Sequence, residues 1–95
     1  MTLDELRQYK EAILKLADEK GAYNVRVFGS VARGEATDTS DIDLLVCYRD
    51  GTTVWDAVAL WDALQDLLGT DVSLVSEGID DKPFIDDIMQ DAVPL

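Results

Sequence analysis

Basic residues are scarce in this chain. Its 95 residues carry 8 lysines and arginines against 20 aspartates and glutamates, a formal net charge of −12. Sequence-independent nucleic-acid binding relies on cations that neutralise phosphates, so no stable nucleic-acid binding is expected. The acidity favours cationic partners, either metal ions or a basic protein surface, and it also keeps a small protein in solution. Cysteine is scarce too: Cys47 stands alone, cannot form an internal disulfide, and fits a reducing compartment. No apolar run approaches the ~20 residues that span a bilayer. Met1–Lys20 is charged throughout and lacks the apolar centre of a signal peptide. A cytoplasmic chain without a membrane segment is the expectation. There is no repeat and no low-complexity tract. With 47% hydrophobic residues, residues 1–95 are expected to fold as one packed domain.

What is present is a regular alternation of helix and strand patterns. Thr2 and Glu5 form a capping-box pattern. Leu6, Tyr9, Ile13, Leu16 and Ala17 then recur at helical spacing, and Gly21 supplies a stop. Asn24–Phe28 reads as a short strand broken by Gly29. Val31–Glu35 suits a turn or two of helix, and Ala36–Ser40 a polar loop. Asp41–Tyr48 is almost continuously apolar after its first residues, which predicts a central strand. Thr53 and Asp56 mark another helix N-terminus. Val54, Val58, Trp61, Leu64 and Leu68 predict its buried stripe, and Gly69 its end. Trp55 lies on a different face from Trp61, either exposed as a partner surface or tucked under a loop. Asp71–Ser76 predicts a third strand. Pro83 suits the first turn of a last helix carrying Phe84, Ile85, Ile88 and Met89. The pattern predicts an α+β domain: a small mixed sheet of about three strands with helices packed mainly on one side.

Two segments carry chemistry. Gly29 ends a strand where a residue without a Cβ lets the backbone approach a ligand. Ser30 adds a hydroxyl and an amide at a helix start, where anions are favoured. The same Gly-Ser also suits an ordinary strand-to-helix turn with Ser30 as cap. Asp41 and Asp43, two apart on a strand, share one face at about 7 Å and can converge on one or two hard cations such as magnesium. Opening an apolar strand with two like charges is unfavourable unless something positive sits between them. Arg33 can reach a phosphate or pair with Glu35 or Asp38. Ser40 either caps the turn into the strand or orients Asp41 or Asp43.

Gly29-Ser30-Val31-Ala32-Arg33-Gly34-Glu35-Ala36, followed by Ser40-Asp41-Ile42-Asp43-Leu44-Leu45-Val46, resembles the signature of the DNA polymerase beta nucleotidyltransferase superfamily. The compact length resembles its minimal nucleotidyltransferase (MNT) branch. The likeness runs from about Val25 to Leu95, since Val75-Ser76-Glu77-Gly78 and Asp91-Ala92-Val93-Pro94-Leu95 resemble that branch's closing segments. The resemblance implies that Gly29 and Ser30 bind a nucleoside triphosphate and that Asp41 and Asp43 hold magnesium, two ions in the active form; Arg33 and Ser40 are candidate further nucleotide contacts. It implies a third carboxylate on the next strand that helps activate the attacking hydroxyl. There the chain departs: the pattern Val-Asp-Leu-Val is met by Val72-Ser73-Leu74-Val75. Ser73 is a poor base. Asp71 shares its face about 7 Å away and is the alternative carboxylate.

The resemblance implies nucleotidyl transfer, AMP from ATP to an acceptor hydroxyl. The MNT branch is similar to antitoxins that pair with HEPN-domain toxins and modify a tyrosine hydroxyl on them. An acidic chain suits such a basic partner. An alternative is a catalytically weakened homologue that neutralises a HEPN partner by occlusion, through Trp55, Tyr48 or Val93-Pro94-Leu95. A second alternative is a small-molecule, antibiotic-type adenylyltransferase, which would need an acceptor site from elsewhere, such as a dimer partner. The apolar surface candidates allow for an oligomer.

Overall fold

Sequence and structure agree at the first helix cap. The Glu5 N–H donates to the Thr2 hydroxyl at 3.2 Å and the Glu5 carboxylate accepts from the Thr2 N–H at 3.3 Å. The structure, a computed structural model, describes residues 1–37, 41–77 and 82–95. The single opening helix predicted from periodicity is two helices, α1 (Leu3–Arg7) and α2 (Lys10–Glu19). Between them the N–H groups of Gln8 and Tyr9 bond three residues back, to Glu5 and Leu6, which tightens the turn to 3₁₀ geometry and breaks the helix. Leu6, Ile13 and Ala17 are buried as expected, whereas Tyr9, at the break, is exposed.

The remaining elements are β1 (Ala22–Phe28), α3 (Gly29–Arg33), β2 (Ile42–Tyr48), α4 (Val54–Leu68), β3 (Val72–Ser76), α5 (Lys82–Asp91) and β4 (Val93–Pro94). The sheet is mixed, in the order β3-β2-β1-β4, with β2 and β3 parallel and the other neighbours antiparallel. Four strands stand where about three were expected. Two residues, one of them a proline tolerated only at an edge, leave no strand pattern to read in β4. Leu95 follows it into the core, its N–H donating to Val25 at 3.3 Å. Of the C-terminal Val93-Pro94-Leu95 offered by the sequence as a surface, Pro94 is exposed at the sheet edge and Val93 half-buried, whereas Leu95 is buried.

Alternation along β2 divides the interior. Ile42, Leu44 and Val46 face a core built with Leu6 and Ile13 of the first two helices and with Leu60, Leu64 and Leu68 of α4. Leu45 faces the other way, against Ile85 and Ile88 of α5, with Phe28 and Val75 beside it. Helices thus cover one face fully and the second in part. Phe84 and Met89 remain exposed on α5.

The buried stripe of α4 is rotated from the predicted one. Leu60, Leu64 and Leu68 are buried, but Val54, Val58 and Trp61 are 75%, 49% and 40% exposed. Both stripes share Leu64 and Leu68. They separate toward the N-terminus, where the α4 flank runs out past β3, the outermost strand. Trp61 uses its polar edge there: its indole N–H donates to the Val72 carbonyl at 2.7 Å, while Gln65 Oε1 accepts from the Val72 N–H at 3.3 Å. Among the described residues no helix is long and apolar enough to cross a membrane.

Candidate functional site

The end of β1 and the start of β2 meet because they are paired: Phe28 lies opposite Asp43 in the antiparallel ladder. Gly29 follows at φ +72°, a left-handed conformation that costs an L-residue roughly 1–2 kcal/mol. A Cβ on it would run into the Asp43 carboxylate, lying 3.2 Å from its Cγ. Glycine is thus needed twice, for its backbone angle and for the closeness of that carboxylate. Ser30, half-buried, occupies the first turn of α3 next to it. The Gly-Ser turn and the Asp-X-Asp strand, separate signals in the sequence, form one constellation.

Asp43 is half-buried and Asp41 exposed, flanking the fully buried Ile42. Burial pushes the Asp43 pKa up, and the neighbouring Asp41 charge pushes it further; a Ser73 hydrogen bond and the Arg33 charge act in opposition. A half-buried carboxylate with a second carboxylate beside it is a site that a cation would relieve. Two oxygen-donor carboxylates on one face fit magnesium, which keeps several waters and takes its remaining ligands from substrate phosphates.

Ser73 lies in parallel register with Asp43, and its hydroxyl donates to that carboxylate. The position where a third acid is expected is therefore occupied, in register, by a hydrogen-bond donor. Asp71 falls just before β3. It is exposed, and its carbonyl accepts from the Ile42 N–H at 3.0 Å. Asp41, Asp43 and Asp71 do not gather into one cluster: no group of three or more Asp, Glu, Cys or His residues poised for a metal occurs among the described residues. Arg33 pairs with Glu35 at 3.1 Å and with Asp91, at the end of α5, at 2.7 Å. Ser40 and Asp38 lie outside the described residues.

Farther along the same sheet face is a polar network that sequence reasoning missed. Arg26, only 7% exposed, donates to the Glu77 carboxylate at 2.6 Å and to the Met89 sulfur at 3.2 Å. The Cys47 thiol donates to the same Glu77 oxygen at 2.8 Å. The Arg26 hydrogen bond, then that of Cys47, holds Glu77 below the usual carboxylate range, while burial pushes the Cys47 thiol up and keeps it neutral. A lone arginine between Val25 and Val27 was the available signal. A bulge at Asn24, with φ +53°, shifts the register between Tyr23 and Arg26. Arg26 thereby lies opposite Leu45, under α5.

Residues 6–95 match the family model described as a nucleotidyltransferase domain. A solved structure described as a minimal nucleotidyltransferase is 46% identical and superposes with a TM-score of 0.89, over 100% of this chain and 97% of the other. The protein adenylyltransferase MntA of Thermococcus cleftensis is 37% identical over 76 residues, 79% of this chain and 77% of that one. At 20% identity the likeness is one of fold alone: a chain in the structure of a tri-AMPylated Shewanella oneidensis HEPN toxin with its MNT antitoxin has a TM-score of 0.71, over 93% of this chain and 69% of that one.

Proposed function

The chain belongs to the nucleotidyltransferase domain family, and from that premise we propose that it transfers AMP from ATP to a hydroxyl on a HEPN-type protein partner. The acceptor oxygen attacks the α-phosphorus and forms a new O–P bond. The bond from that phosphorus to the β-phosphate bridging oxygen breaks, pyrophosphate leaves, and the hydroxyl proton passes to solvent or a nearby carboxylate. Gly29 and Ser30 would take the triphosphate at the start of α3, with Ser40 and Arg33 as further nucleotide contacts. Asp41 and Asp43 would hold magnesium, which when bound neutralises the charge of the phosphates. Asp71 is the acceptor-side carboxylate nearest in the chain to the expected position.

The observation that carries this reading is the contact between Gly29 and the Asp43 carboxylate. It brings the turn proposed to take the triphosphate next to one of the two carboxylates proposed to hold magnesium. Phosphoryl-type transfer depends mainly on such positioning and on charge neutralisation. The name of the Thermococcus relative, a protein adenylyltransferase, supports a protein acceptor, and the HEPN–MNT neighbour supports its class.

The test is incubation with labelled ATP, magnesium and the protein encoded by the neighbouring gene, which this reading expects to be of HEPN type. Label is expected on the partner, and Asp43→Asn removes it. A second reading has its own observation: Ser73 stands in register with Asp43 and hydrogen-bonds to it, so no third acid occupies that position. On this reading the chain neutralises its partner by occlusion. Binding without label transfer, from folded proteins, selects it. An increase in transfer by Ser73→Asp identifies the missing acid as the cause of weak activity, whereas loss by Asp71→Asn shows that Asp71 already serves.

A further inference from the structure

A groove of about 680 Å³ runs along the outer edge of β3, walled by Val54, Val58 and Trp61 of α4. It begins beside the candidate site, because Ser73 both lines the groove and donates to Asp43. Trp55, next to Val54 on α4, stands 80% exposed. The bonds from Ile42 N–H to the Asp71 carbonyl and from Glu77 N–H to the Val46 carbonyl fix the parity of β3. Ser73 and Val75 turn their backbone groups to β2, and Leu74 turns its own outward along the groove.

We propose that this groove docks the acceptor protein, through a segment carrying large apolar side chains flanked by lysine or arginine. The acceptor role rests on the proposed transfer reaction; the binding chemistry does not. Three observations support it. The attacking hydroxyl and the leaving pyrophosphate lie on opposite sides of the phosphorus in an in-line displacement. A triphosphate seated at Gly29 and Ser30, on the β1 side of Asp43, puts the acceptor on the β3 side, where the groove opens. Val54, Val58 and Trp61, exposed and lining the groove, form an apolar surface of the kind that marks a protein contact. Acids outnumber bases around it: from Asp50 to Glu77 the chain has no lysine or arginine. Asp56, Asp62, Asp66 and Asp71 are on α4 or just beyond it. Lys20 lies within range of Asp56, and Arg49 is paired with Asp18. Such a rim selects a basic segment and disfavours a second copy of this acidic chain.

Trp55 and Trp61 are the two tryptophans of the protein, so its intrinsic fluorescence reports on this surface. The probes are two twelve-residue peptides with the same leucine–valine centre, one flanked by lysines and one by glutamates. The lysine peptide is expected to give a saturable fluorescence shift. The glutamate peptide, and the lysine peptide on Val58→Glu, are each expected to bind about tenfold more weakly or worse. Equal affinity for the two peptides, or no effect of Val58→Glu, overturns the proposal. Val54→Glu, at a more exposed position, replaces Val58→Glu if circular dichroism shows the latter misfolded. Self-association in sedimentation that Val58→Glu abolishes makes a second copy the occupant and also overturns it. With the HEPN-type protein as acceptor, Val58→Glu is expected to raise KM for that protein about tenfold, with kcat and the KM for ATP unchanged. Transfer with an unaltered acceptor KM rejects the docking surface and leaves the reaction standing. Peptide binding as described, with no transfer by the wild type, keeps the surface as a basic-segment dock and rejects the reaction.

Discussion

One strand serves two different interiors. Ile42, Leu44 and Val46 of β2 are 1% exposed or less and pack in the apolar core shared with α1, α2 and α4. Asp43, Leu45 and Cys47, pointing the other way, meet a serine, a small apolar cluster and a carboxylate held by a buried arginine. The period of two along a strand lets one face be optimised for packing and the other carry charge. The cost of charge is confined to the second face, which is also the face that the helices leave partly open.

The sharpest way to break this comparison is to substitute neighbours on β2. Asp43→Asn is expected to lower transfer by roughly 10²–10³-fold or more, the scale of losing a principal electrostatic group, while leaving the fold intact. Its stability effect has a definite sign. The folded pKa of Asp43 is raised, so ionisation weighs against the native state. That penalty is absent below the unfolded value, about 3.9, and complete above the raised folded value. At neutral pH without metal, the variant is expected to melt higher than the wild type by calorimetry. Added magnesium is expected to raise the wild-type Tm more than the variant's. Leu44→Ala, one residue away, is expected to cost about 2–5 kcal/mol in denaturant unfolding and to leave activity per folded molecule nearly unchanged. If both substitutions moved stability and activity together, the two faces would not be separable.

Gly29→Ala tests whether the second face tolerates any loosening. The left-handed angle alone costs about 1–2 kcal/mol, and the new methyl must displace the Asp43 carboxylate. Stability and transfer are both expected to fall, and the loss of transfer to exceed what the unfolded fraction explains. A variant that lost stability but kept its specific activity would separate Gly29 from the site.

How far the sequence disclosed these two faces depends on the range of the interactions. Helix caps and strand cores were legible because they are local: Thr2 with Glu5, Thr53 with Asp56, the apolar run through Leu44–Val46. The Gly29–Asp43 constellation was legible as two motifs, and the antiparallel pairing of Phe28 with Asp43 supplied the contact between them. Three features were not legible. The rotation of the α4 stripe follows from β3 being the sheet edge, a property of topology with no mark in the residues of α4. The two-residue β4 is too short for any period. The Arg33–Asp91 and Arg26–Glu77 pairs join residues 58 and 51 positions apart, and in so acidic a chain no pattern singles out which acid each arginine takes.

Glu77→Gln probes the polar half of the second face alone. It removes the partner charge of a nearly buried guanidinium, and hydrogen bonds to charged groups contribute about 1.5–3 kcal/mol. Because Glu77 is itself partly exposed, a loss nearer the lower end is expected at pH 7. The folded pKa of Glu77 lies below its unfolded value. Its contribution is therefore complete above the ordinary glutamate pKa, about 4.3, and disappears as the pH falls through the lowered folded value. Urea unfolding of the two proteins is expected to differ at pH 7 and to converge as the solution becomes acidic. A constant difference across that range would show that packing, not charge, is what Glu77 supplies.

The smallest effect concerns Arg33, where the second face meets solvent. Its guanidinium is divided between Glu35, which is exposed, and Asp91, which is partly so, and pairs of that kind add little to stability. The same group lies close enough to act on Asp43, and a triphosphate at Ser30 would compete with the two carboxylates for it. Asp91→Asn withdraws one competitor without touching the site. Its Tm is expected to stay close to that of the wild type, and the KM for the nucleotide to fall roughly two- to fivefold, the scale of one exposed ion pair. The Arg33→Gln variant is expected to raise that KM, and combining it with Asp91→Asn to give no recovery, since the aspartate then has nothing to withhold. An unchanged KM in Asp91→Asn would assign Arg33 to tying α3 to α5, and the charged face would end at Asp43.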